Sequence, residues 1–208
     1  RVVVTPVSSN TLVERCGCFD SVRRTRIGSP FVIEGMQQAI AEGFDGVVGY
    51  EANGGFLLGS DFTVGGRRLP ALPTRDAVLV ALAILCAAAG QGKSVSALGA
   101  DLPQRFTHSD RLEDFPTQIS QTRIGELAQD TAAIEAAFGE HFGAVESLDL
   151  TDGLRIRFVS GEIAHLRPSG NAPELRAYTE ADSPRRAVEM NAICMTIMSG
   201  WRDAAAGA

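Results

Sequence analysis

The sequence predicts an α/β unit with a mostly parallel sheet, followed by a small α+β unit with an antiparallel sheet. Three observations carry this. Short apolar strands alternate with helices as far as Pro116, the order that parallel crossovers produce. Beyond it, a long helical stretch precedes short strands at hairpin spacing. Between the two, the extended run "QRFTHSDRLEDFP" stops at Pro116, which places the domain boundary there, giving segments 1–116 and 117–208.

In order, "RVVVTPV" reads as a buried strand, "NTLVERCG" as a short helix ending at Gly17, and "FDSVRRTR" as a returning strand. "SPFVIEGMQQAIAEG" is a helix with Ser29 as N-cap, Pro30 in the first helical position and Gly43 as terminator. "DGVVGY" is a strand, "EANGG" a turn and "FLLGS" the return. "TRDAVLVALAILCAAAGQG" reads as a helix buried nearly all round. In the second segment "TQISQTRIGELAQDTAAIEAAFG" is one long helical stretch. The strands "AVESLDL", "GLRIRFVS", "EIAHLRP" and "ELRAYTE" follow. The closing helix begins at Ser183-Pro184, repeating the pair at Ser29-Pro30, and the alanine-rich end at 204–208 is expected to fray.

The 208 residues carry a formal net charge of −6, with 45% apolar and 21% charged residues. No apolar run is long enough to span a bilayer, and an acidic chain without a basic stripe disfavours a nucleic-acid partner. No secretion signal is expected, and four cysteines without disulfide or metal-site spacing read as buried reduced thiols. A cytoplasmic location is therefore expected. The chain opens on Arg1 rather than Met, which suggests a fragment. Lys93 is the one lysine among 19 basic residues, so a single arginine says little and a cluster is needed.

Such a cluster exists. Strand alternation sends Leu154, Ile156 and Phe158, Ala164 and Leu166, and Leu175 and Ala177 to one face. The other face collects Arg155, Arg157, His165, Arg167 and Arg176, in a half of the chain that is itself net acidic. The loop "RPSGNAPELR" joins the last two arginines. A phosphate dianion takes guanidinium forks, a hydroxyl and backbone N–H groups. Arg167 and Arg176 supply forks and Ser169 a hydroxyl. Gly170 and Asn171 can take left-handed geometry and turn their amides inward as a nest. The bland alternative is a polar turn with surface arginines.

Two further stretches are candidates. In "GYEANGGF", Glu51 ends a strand, where its carboxylate can accept from vicinal sugar hydroxyls, with Asn53 beside it. The alternative is an ordinary Asn-Gly hairpin turn. In "RTRIGSP", Arg26 precedes a helix N-terminus, a ready anion site, or else an ordinary capped helix.

Taken in order, these segments resemble the α-D-phosphohexomutase superfamily, and its bacterial phosphomannomutase/phosphoglucomutase branch in particular. "RTRIG" is similar to the family's Thr-Lys…Val-Gly segment, and "GYEANGGF" to its sugar-binding loop, usually Gly-Glu-x-Ser-Gly. "TRDAVL" is similar to its Asp-Gly-Ile helix start. "RPSGNAPELR" resembles its phosphate loop, usually Arg-Pro-Ser-Gly-Thr-Glu-Pro-x-x-Arg. The chain departs from the pattern at Ser29, Asn53, Gly55, Asn171 and Ala172. The family's serine loop, near Thr-Ala-Ser-His-Asn-Pro, and its metal loop, Asp-Gly-Asp-x-Asp-Arg, are absent from this sequence.

The resemblance implies most of domain III (1–116) followed by domain IV (117–208), the latter TATA-binding-protein-like. It implies part of an isomerase that interconverts hexose 1-phosphate and 6-phosphate through a hexose 1,6-bisphosphate. Mg²⁺ and the reacting serine would sit in the other half, so no catalytic residue is expected here. Arg26, Glu51, Asn53, Arg167, Ser169, Gly170, Asn171 and Arg176 are implied to bind the hexose phosphate substrate. Phosphoglucosamine mutase, or a sugar-phosphate-binding module without catalysis, remain alternatives. No nucleic-acid or membrane partner is implied.

Overall fold

The structure is a computed structural model that describes residues 1–206. It divides into two compact units, Arg1–Pro103 and the chain from Gln104 onward.

In the first unit, three strands run parallel: β1 (Val2–Pro6), β2 (Ser21–Thr25) and β3 (Val47–Tyr50). Strand β4 (Phe56–Leu58) returns antiparallel to β3, and the sheet order is β2-β1-β3-β4. Helix α1 (Leu12–Arg15) connects β1 to β2, and α2 (Ser29–Ala41) crosses from β2 to β3. The chain thus leaves β1 in one direction and passes it in the other.

Helix α2 packs through Val32, Met36 and Ala39 onto Val2, Val4, Val47 and Leu57. Two glycines allow the approach. A Cβ on Gly35 would lie 2.8 Å from Val4 Cγ1, and one on Gly49 would lie 2.6 Å from Val32 Cγ1. The predicted Ser29 cap is corrected: Gly28 holds the cap position without a side-chain bond, and Ser29 is already helical. A residue with φ of 133° and ψ of 139° is glycine's province, and that backbone shape sets the helix entry.

Three other expectations change in this unit. The hairpin of β5 (Phe62–Val64) and β6 (Arg67–Leu69), turning at Gly65-Gly66, was not predicted. Helix α3 (Ala77–Gln91) forms as predicted, with Asp76 accepting from Val78 and Leu79 N–H and Gly92 left-handed at its end. It is not buried nearly all round, however: Val78, Leu82 and Leu85 are more than half exposed and only Ala88 is buried. Its apolar composition calls for covering surfaces that the described residues do not supply. For the same reason Cys86 is exposed, as is Cys18, while Cys16 is half-buried and Cys194 buried, so the expectation of four buried thiols holds for one.

The domain boundary expected after Pro116 falls instead after Pro103. Strand β7 (Phe106–Leu112) belongs to the second unit, where it pairs along its whole length with β11 (Leu175–Ala181). Those backbone bonds tie 106–112 to the later sheet, so Pro116 marks only the step into a helix. The sheet is completed by β8 (Val145–Asp149), β9 (Leu154–Phe158) and β10 (Ile163–Pro168), all antiparallel, in the order β7-β11-β10-β9-β8.

One face of this sheet carries the core. Leu154, Ile156, Phe158, Ala164, Leu166, Leu175 and Ala177 pack against helices α4 (Thr117–Gln129), α5 (Thr131–Phe142) and α6 (Pro184–Ala206). The long helix predicted over 117–139 is two helices. Asp130, extended at φ −137°, ends α4 and caps α5 by accepting from Ala132 N–H. Ser183 does cap α6, accepting from Arg186 N–H at 3.2 Å. Of the end expected to fray, 204–206 are helical and 207–208 lie outside the described residues. Among the described residues no helix is long and apolar enough to cross a membrane.

Candidate sugar-phosphate site

In a doubly wound sheet, ligands bind beyond the carboxyl ends of the strands where the order reverses. Glu51 stands there, immediately after β3. Its N–H donates to Gly55 carbonyl at 2.8 Å, and its carbonyl accepts from Gly54 N–H at 3.0 Å. Gly54 has φ 89°, which the tight turn requires. The Glu51 side chain is 5% exposed and paired with Arg75, the residue before the α3 cap. That cap is tethered to the same hairpin by Asp76 N–H donating to Phe56 carbonyl at 2.9 Å. Asn53 Oδ1 accepts from Gly55 N–H at 3.0 Å, so its carbonyl is committed to the turn and its amide nitrogen is what it can offer a ligand.

Arg26 follows β2, at the same edge. Its guanidinium lies 5.1 Å from the Phe31 ring centroid, a cation–π contact that draws it along α2. It lines a depression of about 220 Å³ with Thr25, Phe31, Glu34, Gly35 and Gln38.

In the second unit the open face holds arginines as predicted, with one addition and one change. Arg167 on β10 is the register partner of Arg176 on β11, which is in turn the partner of Arg111 on β7. Three guanidinium-bearing residues thus stand side by side on adjacent strands. Arg111 escaped the sequence reading because its strand had been assigned to the first unit. Alternation along "FTHSDRL", paired with "LRAYTEA", is the signal that could have found it.

Acidic neighbours hold the row. Arg176 Nη2 donates to Glu174 Oε2 at 2.9 Å, and this bond raises the Arg176 pKa above its usual value. Arg111 donates to Glu113 Oε1 from Nη2 at 2.9 Å and lies 3.6 Å from Glu174 Oε1. Arg167 Nε lies 3.0 Å from Asp152 Oδ2, yet it is buried without an aligned acceptor. An unsatisfied buried donor is uncommon.

Loop 169–174 closes on itself. Ser169 N–H donates to Glu174 carbonyl and Glu174 N–H to Ala172 carbonyl, both at 2.8 Å. Ser169 is largely buried, and its hydroxyl accepts from Asn171 N–H at 3.4 Å. The left-handed nest is not formed. Gly170 is absent from the positive-φ glycines, and Asp114 is the one non-glycine with positive φ among the described residues. The Ser169 hydroxyl takes over the turn that left-handed residues would have made. Phe115 N–H donates to Pro173 carbonyl at 2.8 Å and pins the far side of the loop.

His165 is the changed residue. It lies on the open face by parity yet is only 2% exposed, stacked on Tyr178 with centroids 5.3 Å apart. Its Nε2 is 2.6 Å from the Asp152 carbonyl, while Nδ1 is buried without a partner. Desolvation pushes its pKa down to about 4, with the nearby Arg155 and Arg167 charges acting in the same direction. A neutral imidazole is part of the scaffold under Asp152, and not a cation for a ligand.

An α/β layer with a buried acidic residue at its switch point thus precedes an antiparallel sheet bearing an arginine row beside a Ser-Gly loop. Residues 1–106 match the family described as phosphoglucomutase/phosphomannomutase, alpha/beta/alpha domain III, and residues 121–194 match phosphoglucomutase/phosphomannomutase, C-terminal domain. The chain belongs to the phosphoglucomutase/phosphomannomutase family. It is 41% identical over 199 residues to a phosphomannomutase of Sinorhizobium fredii, covering 96% of this chain and 42% of that protein. It is 45% identical over 183 residues to one from Salmonella muenchen, covering 87% and 37%. The chain therefore spans about two fifths of the length of these relatives.

Among solved structures, a phosphoglucomutase/phosphomannomutase family protein of Burkholderia thailandensis shares the fold at a TM-score of 0.65 and 15% identity, covering 96% of this chain and 37% of that one. An N-acetylphosphoglucosamine mutase of Aspergillus fumigatus, solved in complex with GlcNAc-6P and magnesium, does so at 0.56 and 16%, covering 97% and 41%.

Proposed function

We propose that this chain provides the sugar- and phosphate-gripping part of a phosphohexomutase that interconverts hexose 1-phosphate and hexose 6-phosphate through a bisphosphate. The observation that carries the reading is the arginine row next to the Ser169 loop. Like charges in register on neighbouring strands repel, and a phosphate dianion is the ligand that turns this cost into binding energy.

In this reading Arg167 and Arg176 grip the phosphate that is not reacting, with the Ser169 hydroxyl and the Gly170 and Asn171 backbone alongside. Arg26 offers the first unit a second cation. Glu51, held in position by Arg75, accepts from sugar hydroxyls, and Asn53 donates through its amide nitrogen. Phosphoryl transfer gains mainly from positioning and electrostatics, so residues that only bind still contribute to rate. The relative bound to magnesium points to a metal in the reaction. Among the described residues no group of three or more His, Cys, Asp or Glu could hold one.

A coupled mutase assay on the full reading frame encoding this sequence tests the proposal, with the 1-phosphates of mannose, glucose and glucosamine as substrates. Lysine keeps the charge of arginine but loses the planar fork. Arg167→Lys and Arg176→Lys should each lower kcat/KM by about 1–3 kcal/mol, one charged contact's worth. Arg123→Lys, half-exposed on the outer side of α4 and paired with Glu126, should change nothing. Unchanged kcat/KM in both loop variants would refute the phosphate grip.

A further inference from the structure

We propose that Arg111 is a third cation of the phosphate site and that Glu174 is the resident counter-ion of the row, held by the Arg176 fork and facing Arg111, until a phosphate displaces it. This rests on the phosphate-binding reading above.

Three positively charged residues in one row across β7, β11 and β10 need an anion between them. Glu174 is that anion. One carboxylate oxygen faces Arg111 Nε at 3.6 Å and the other accepts from Arg176 Nη2 at 2.9 Å. Its side chain is 14% exposed, so it is a settled part of the site and not a solvent-side partner. The loop depends on the Glu174 backbone and not on its carboxylate, since both closing bonds are main-chain bonds. The side chain can therefore leave without opening the loop.

There is also room for the competitor. A cavity of about 390 Å³ lies along Ser109, Asp110, Arg111, Glu113, Arg176 and Tyr178. Arg111 and Arg176 both line it, while Glu113 Oε1 accepts from Arg111 Nε at 3.1 Å and from Nη2 at 2.9 Å. A phosphate dianion brings more charge and more acceptor oxygens than a carboxylate to the same two guanidinium groups. A ligand that must first displace an internal group binds with an apparent affinity reduced by the fraction of molecules in which that group has left. Glu174 therefore sets the threshold for anion binding, and losing its charge must tighten binding.

Isothermal titration of the 208-residue chain with inorganic phosphate at low ionic strength tests this. Glu174→Gln should bind phosphate about three- to tenfold more tightly than the parent chain, and Arg111→Gln about three- to tenfold more weakly. Glu174→Asp, one methylene shorter and less able to lie between the two guanidinium groups, should also tighten binding and covers the case in which the glutamine variant folds poorly. Arg176→Lys should abolish binding. If it does, while Glu174→Gln and Glu174→Asp bind no more tightly than the parent or Arg111→Gln binds equally well, the counter-ion assignment is overturned and the phosphate-loop reading stands. If the parent chain does not bind phosphate, or Arg176→Lys leaves binding unchanged, the phosphate-loop reading fails and this proposal fails with it.

Discussion

Arg105→Met is expected to destabilise the second unit by about 3–5 kcal/mol, the cost of breaking a buried ion pair from one side. The Arg105 side chain is fully buried. Its Nε donates to Glu180 Oε1 at 2.6 Å, Nη1 to Asp182, and Nη2 to the Gly161 carbonyl at 2.8 Å. One guanidinium thus joins the entry to β7, the end of β11 and the β9–β10 turn. Burial works against its charge, and the two carboxylates more than offset this, holding its pKa above the usual value. Methionine fills similar volume but leaves Glu180, itself buried, without this cation. Urea unfolding should show the loss, and adding Glu180→Gln should recover part of it, because the two residues are coupled. A loss below about 1 kcal/mol, as for an exposed pair, would show that Arg105 is not the clamp described.

The second large effect depends on pH. His165 has a pKa of about 4 in the folded chain, against an unfolded value near 6.5. Between those values the unfolded state binds more protons, so stability falls as pH falls. The contribution is fully present above about pH 6.5 and is lost progressively as pH drops through the folded value. The shift corresponds to roughly 3 kcal/mol. The groups that set it are the apolar surroundings, the Arg155 and Arg167 charges, and the opposing pull of the Asp152 carbonyl and carboxylate. Unfolding free energies from urea titrations at pH 7 and pH 4.5 should differ by about 2–3 kcal/mol more for the parent chain than for His165→Gln, which cannot titrate. Equal pH dependence in the two would mean that His165 is solvated and not buried as described.

Much of this architecture was legible in the sequence, for identifiable reasons. Strand β9 alternates apolar and polar residues and β10 and β11 largely follow it, so parity placed the core face and most of the arginine face. The start of the closing helix at Ser183 was readable because a side-chain oxygen does the capping. Ser29 was misread because the same Ser-Pro pair follows Gly28, whose backbone conformation no side-chain pattern reveals. Asp130 was passed over because its neighbours continue a helical composition, and a residue that ends one helix while capping the next leaves no apolar gap.

Arg75 and Arg111 were missed for a different reason. Each becomes a site residue only through pairing between distant segments, Arg75 with Glu51 and Arg111 with Arg176. Burial of α3 was overestimated because composition reports what a helix could bury, and not what is there to cover it. His165 was assigned correctly to a face and wrongly to solvent, since neighbouring long side chains can close over a polar face.

The central claim is that loop 167–176 and its flanking arginines bind a phosphate group. The most direct measurement is a titration of the isotope-labelled 208-residue chain with mannose 6-phosphate, followed by amide and arginine side-chain resonances. The account predicts saturable shifts at Ser169, Gly170 and Asn171 and at the Arg167 and Arg176 Nε–H groups, all lost in Arg176→Lys. Shifts confined to other residues, or persisting unchanged in that variant, would contradict it.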